Sequence, residues 1–140
     1  MCGCPADFVH GLVLPKSVVT GVEDELRPKA IWQFAWDVAE LRIPKEEIAL
    51  AVNSKNKRTQ NQLHVHVVKL KQGPQPELEA SVVGMAEQLS EVWRMASKAA
   101  QNLNMVEYGV LVMASASGGY RVAITALSPE GQFTQAVCQP

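Results

Sequence analysis

His10, His64 and His66 are the three histidines of a 140-residue chain, and two of them stand one residue apart. Alternate residues of a strand point to the same face, so an H-x-H pair projects two imidazoles together. Near neutral pH an imidazole can serve as a nucleophile, a general acid or base, or a metal ligand. Three readings of the pair compete. In the first, His64 and His66 bind zinc, which needs further ligands. The cysteines Cys2, Cys4 and Cys138 sit at the termini, so His10 or a carboxylate would have to serve as the third. In the second, the histidines are structural and hydrogen-bonded on a sheet face. In the third, one imidazole attacks phosphorus while neighbouring donors hold the phosphate oxygens.

The surrounding charge bears on this choice. No acidic residue occurs between Glu47 and Glu77, a stretch that holds Lys55, Lys57, Arg58, Lys69 and Lys71. The stretch therefore carries +5 in a chain of net charge −1. A local positive field attracts anions such as phosphates and is a poor neighbour for a divalent cation. The loop Asn53-Ser54-Lys55-Asn56-Lys57-Arg58-Thr59-Gln60-Asn61 is rich in hydrogen-bond donors. Phosphoryl transfer is governed by positioning and charge stabilisation, which such a loop beside a nucleophile provides. A solvated basic loop is the plain alternative. No aromatic side chain interrupts the stretch to stack on bases, which argues against nucleic acid as the partner.

The elements that must position these residues follow from periodicity. Phe8 to Leu14 reads as a strand. Pro28 suits the first turn of a helix, with Ile31, Phe34, Ala35, Val38 and Leu41 as its stripe and Trp32 and Trp36 flanking it. Ile48 to Val52 fits a buried strand. Gln62 to Leu70 alternates, with Leu63, Val65 and Val67 on one side and Gln62, His64 and His66 on the other, which predicts a half-buried strand with a polar face. Glu77 to Asn102 has helical periodicity, with Gly84 as a point where it bends or splits. Tyr108 to Ala114 and Tyr120 to Leu127 read as strands joined at Gly118-Gly119. Pro129-Glu130-Gly131 reads as a turn, and Phe133 to Val137 as a last strand. Antiparallel hairpins mixed with two main helices predict an α+β fold in one domain over residues 1–140.

Apolar residues make up 47% and charged residues 19%, a balance that excludes disorder. No apolar run approaches the length of a membrane span. The N-terminus as written has neither the basic nor the apolar region of a signal peptide; the compartment stays open, cytoplasmic on the sequence as written. A removed leader would make it periplasmic or membrane-anchored. Cys4 with Cys138 could tie the termini together in an oxidising compartment, or all three thiols could be unpaired.

Asn53-Ser54, with Arg58-Thr59-Gln60-Asn61-Gln62-Leu63-His64-Val65-His66, closely resembles the signature of CDP-diacylglycerol pyrophosphatases, a branch of the histidine-triad superfamily. Leu14-Pro15, Gly21-Val22-Glu23 and Ala35-Trp36 agree in order upstream. The similarity is good over residues 8–70 and looser through Cys138. The resemblance implies a central antiparallel sheet, a homodimer, and metal-independent hydrolysis at the α-phosphate of a nucleotide phosphoanhydride through a nucleotidyl-histidine, with no cofactor. It makes His64 the nucleophile and gives His66 the last motif position, hydrogen-bonding the phosphate or leaving group. Gln62 stands where many histidine-triad proteins have their first histidine; glutamine can donate a hydrogen bond but cannot shuttle a proton. Asn53 and Gln60 would orient the nucleophile or phosphate, Thr59 would add a hydroxyl donor and Arg58 positive charge. The pyrophosphatases are longer than this chain between the H-x-H strand and the C-terminal strands. That difference leaves both a lipid-linked and a water-soluble nucleotide open as substrate, and a catalytically weak nucleotide-binding module as the alternative function.

Overall fold

The computed structural model describes residues 9–13, 30–54, 64–126 and 128–135. Six strands form one antiparallel sheet: β1 (His10–Val13), β2 (Ile48–Val52), β3 (Val65–Lys69), β4 (Val82–Ala86), β5 (Gly109–Ala114) and β6 (Tyr120–Thr125), in the order β1-β3-β2-β5-β6-β4. Four helices accompany it: α1 (Ile31–Glu40), α2 (Pro76–Ser81), α3 (Val92–Asn102) and α4 (Pro129–Phe133). The protein is an α+β fold, as its mixture of hairpins and helical stripes predicts.

The two faces of the sheet carry different cores. On one face Ile48, Leu50, Val52, Val65, Val67, Val110 and Val112 pack beneath α1 and α3. Trp32 of α1 meets Trp93 of α3 with ring centroids 4.9 Å apart. Trp36 makes an edge contact with Tyr120 at the same separation. On the other face Ala49, Ala51, Val68, Leu111, Met113 and Ala123 are covered by Leu78 of α2 and Phe133 of α4. β3 is therefore buried on both sides and all five of its residues are interior, so the predicted half-exposed polar face is corrected. The strand alternates in side-chain type, but α4 closes over the side from which water was expected.

Three further expectations are corrected. The buried stripe of α1 is Ile31, Trp32, Ala35, Trp36 and Ala39, while Phe34 is 61% and Leu41 81% exposed. Trp32 and Trp36 are buried against Trp93 and Tyr120, and these contacts go with the observed helix rotation. Residues 77–102 are not one helix but α2, then β4, then a 3-10 turn at Leu89–Glu91 and α3. Val82 and Val83 are β-branched, and β4 pairs with β6 from Val82 to Ala86 with an irregularity at Val83, which supplies a ladder where Gly84 weakens the helix. Pro129 to Phe133 is a short helix instead of a turn and the start of a strand; Thr134 bridges to the sheet opposite Leu70, and residues 136 and 137 of the expected strand lie outside the described residues. The β5–β6 hairpin closes as predicted, with φ of +97° at Gly118 and +74° at Gly119. A Cβ at Gly119 would lie 2.7 Å from the Ala86 carbonyl oxygen, so that position also needs glycine for space. Among the described residues no helix is long and apolar enough to cross a membrane.

Candidate functional site

The site lies at one end of the face that Leu78 and Phe133 cover. Antiparallel pairing of β3 with β1 sets Leu12 opposite His66 and His10 opposite Val68, so His10 and His66 are diagonal neighbours on one face. β2 pairs on the other side of β3, with Ala51 opposite His66, and Asn53 follows directly beyond its end. All three histidines of the chain meet there. The His64 and His66 rings stand 4.9 Å apart, edge to face, and the His66 and His10 rings 5.2 Å apart. His64 is 6% and His66 8% exposed, whereas His10 is exposed.

The His66 ring is gripped from both sides. Its Nδ1 lies 2.9 Å from Nε2 of His10, and its Nε2 lies 2.7 Å from Oε2 of Glu130. Nε2 is buried and has no other partner among the described residues, so the Glu130 carboxylate is the acceptor it faces. An ionised carboxylate only accepts, so a proton on Nε2 is what this contact calls for, while Nδ1 is the nitrogen that meets His10. Burial alone would raise the pKa of Glu130. The hydrogen bond and charge of His66, the hydrogen bond from Asn53 and the charge of His10 together outweigh that penalty and hold it below the ordinary value.

Glu130 is placed by α4. Ser128 caps this helix, accepting from the Gly131 N–H at 3.3 Å, and Pro129 fills the first turn. The Ser128 hydroxyl donates to Oδ1 of Asn53 at 2.8 Å, and Nδ2 of Asn53 donates to Glu130 at 3.1 Å. Thus Asn53, expected to orient a nucleophile or a phosphate, fastens α4 to the end of β2. The helix can sit this close because residue 109 is glycine. A Cβ there would lie 2.6 Å from Cδ of Pro129 and 2.8 Å from the Val52 carbonyl oxygen.

Of the residues singled out in the sequence, His64, His66 and Asn53 come together. Gln62, Arg58, Thr59 and Gln60 lie outside the described residues, as do Cys2, Cys4 and Cys138. Sequence reasoning missed Glu130 and Ser128, and weighed His10 only as a third zinc ligand. Donor atoms of His10, His66 and Glu130 do lie within 4.8 Å of one another. However, His66 turns opposite nitrogens toward its two partners, so a single ion would have to displace one of those contacts. The one sequence signal for Glu130 was a carboxylate in the Ser-Pro-Glu-Gly helix start, which nothing local ties to the H-x-H strand.

The fold is an α+β protein in which a buried imidazole pair backed by a carboxylate lies at the end of an antiparallel sheet, side chains able in principle to serve nucleophilic or acid–base chemistry. More particularly, a family model described as CDP-diacylglycerol pyrophosphatase matches residues 5–132, and the chain belongs to that family. A CDP-diacylglycerol pyrophosphatase of Mycobacterium bovis is 35% identical over 75 residues, covering 44% of this chain and 29% of the relative. One of Mycobacterium tuberculosis aligns with the same identity and the same coverage. A probable CDP-diacylglycerol pyrophosphatase of Mycobacterium leprae is 39% identical over 67 residues, covering 40% of this chain and 25% of the relative. The aligned part thus spans less than a third of these curated relatives.

Proposed function

We propose that this protein hydrolyses the pyrophosphate bond of a nucleotide-linked substrate of the CDP-diacylglycerol type, with His64 attacking the α-phosphate. The observation that supports this reading most directly is the juxtaposition of His64 and His66 at the end of β3, ring to ring at 4.9 Å, in a chain of this family. In the first step His64 forms a P–N bond as the P–O bond to the second phosphate breaks, leaving a nucleotidyl-histidine. In the second, water adds to phosphorus and the P–N bond breaks. The covalent route replaces one difficult displacement by two easier ones. Arg58, Thr59, Gln60 and Gln62 supply the donors that stabilise charge on the phosphoryl oxygens, as in histidine-triad proteins. The leaving group in this reading is a lipid phosphate, and the working assembly is a homodimer.

The test is intact-protein mass spectrometry after brief incubation with CDP-diacylglycerol and with water-soluble nucleotide anhydrides, quenched in alkali because a phosphoramidate is acid-labile. The expected result is a mass increase of one nucleoside monophosphate. It is lost in His64→Gln, which nearly keeps the side-chain volume at this buried position. Turnover retained in His64→Gln would overturn the mechanism. Tight nucleotide binding by calorimetry without adduct or product would transfer the reading to a binding module.

A further inference from the structure

Among the described residues β1 is an edge of the sheet, paired with β3 alone. A groove of about 320 Å³ runs beside it, lined by residues 9–13, by Val67 of β3, by Val38 and Ala39 of α1, and by Arg42 just past that helix. Ligand pockets hold roughly 300–1,000 Å³, so this one is small. Five consecutive strand residues span roughly 13 Å, which makes it a slot. We infer that this groove takes an acyl chain of the substrate, and so selects a lipid-linked leaving group over a water-soluble one. This inference rests on the function proposed above.

Gly11 is the first observation behind it. Gly11 lies opposite Val67, and directly opposed residues share a face, here the one beneath α1. The fold itself does not call for glycine at this position. Its φ is not positive, and a Cβ would meet only Cβ of Val67, at 3.9 Å, which is ordinary contact. A glycine inside a strand weakens it and often marks the close approach of a ligand.

The lining decides the kind of ligand. Its side chains can hydrogen-bond only at His10 and Arg42, and Arg42 is exposed, so its stem can flank the groove with the charge in water. A nucleobase or sugar would leave polar edges unpaired there, whereas an alkyl chain loses nothing. The groove is also continuous with the site. His10, whose ring stands 5.2 Å from that of His66, lines it. So does Leu12, which lies directly opposite His66 and is 53% exposed. A chain carried on the leaving phosphate therefore passes from His66 over Leu12 into the slot. On the outer side Val38 belongs to the exposed stripe Phe34, Val38 and Leu41, which continues the apolar surface along α1.

The experiment measures kcat/KM on CDP-glycerol and on its monoacyl derivatives from acetyl to octanoyl, kept below the concentrations at which they form micelles. In wild type the value should rise with chain length, by up to about fourfold for each methylene removed from water, and level off once the groove is full. Equal values across the series would overturn the groove and leave the hydrolase reading in place. No cleavage of any member by wild type would instead defeat the function itself. Gly11→Ala and Gly11→Val narrow the slot. Gly11→Ala should melt no lower than wild type, because a Cβ has room there and strand glycine is costly. Both should nevertheless lower the ratio of kcat/KM for octanoyl over CDP-glycerol, by about tenfold or more in Gly11→Val, with KM carrying the loss. Val38→Glu, at an exposed position, should lower the same ratio by setting a charge against the chain. An unchanged ratio in all three variants would overturn the inference. So would sedimentation showing that these variants break a dimer and lose activity equally on every member, since a second copy of the chain would then cover the groove.

Discussion

Asn53 bonds with both ends of its amide: Oδ1 accepts from the Ser128 hydroxyl, and Nδ2 donates to Glu130. Asn53→Asp removes the donor and sets a second carboxylate against Glu130, while Asn53→Ala only removes the bonds. Aspartate is therefore expected to be the worse replacement. It should cost about 1–3 kcal/mol for the unpaired buried groups, with added like-charge repulsion. Activity should fall further in Asn53→Asp than in Asn53→Ala, as measured by thermal melts and turnover side by side; the reverse order would show that Asn53 serves the substrate directly. Glu130 also predicts a pH dependence. Its pKa is lowered on folding, so its contribution to stability is complete above the unfolded value near ~4.3 and is lost as pH falls through the folded value. Urea titrations should show wild type more stable than Glu130→Gln at pH 6, with the gap closing below pH 4. A gap that widened on acidification would contradict the depressed value. His64 and His66 were legible because alternation puts them on one face, and Asn53 because it opened a donor-rich loop. Glu130 was not, since 64 residues separate it from His66 and only the docking of α4 unites them.

At the scale of elements, the strands that alternate or run apolar were readable: Ile48 to Val52 came out with its predicted bounds and the Gly118-Gly119 hairpin with its predicted chirality. The region after Pro76 was not, because Leu78, Val82, Met85, Leu89, Val92 and Ala96 fall at helical spacing whether or not the chain is helical throughout. Pairing with β6, a tertiary contact, decides in favour of a strand at Val82–Ala86. The rotation of α1 was misread for a similar reason, since two overlapping apolar stripes exist and only packing against β2 and β3 selects the tryptophan one. It follows that Phe34→Gln and Leu41→Gln should change stability by no more than about 0.5 kcal/mol. Trp36→Ala should cost about 3–5 kcal/mol. Chemical denaturation reads both, and comparable losses in all three would mean that the exposed stripe is covered in solution. A second element-scale expectation concerns Gly109. Its alanine variant forces Pro129 away from β2 and β5, costing about 1–3 kcal/mol. Because Pro129 begins the helix that bears Glu130, turnover should fall along with stability, and a stable but inactive protein is the informative result.

The whole molecule is asymmetric across its sheet. One face is packed under two long helices with three tryptophans and defines the stability of the fold. The other, among the described residues, is closed by a five-residue helix and Leu78, and it carries the histidines. Among the described residues the histidines thus sit under the smaller of the two covering layers, a place suited to local opening. Phe133 is the main apolar anchor of that layer, 2% exposed, with its carbonyl accepting from the Lys71 N–H at 3.0 Å. If α4 opens as a local unit, Phe133→Ala should release it without unfolding the tryptophan face. The global melting temperature would then fall less than in Trp36→Ala, while turnover would fall more. Hydrogen exchange followed by mass spectrometry supplies the matching readout. Peptides over residues 129–135 should exchange faster in Phe133→Ala, with residues 110–113 of β5 still protected. Equal acceleration in both segments would mean that the two faces unfold together, and that the site is held by the fold as a whole.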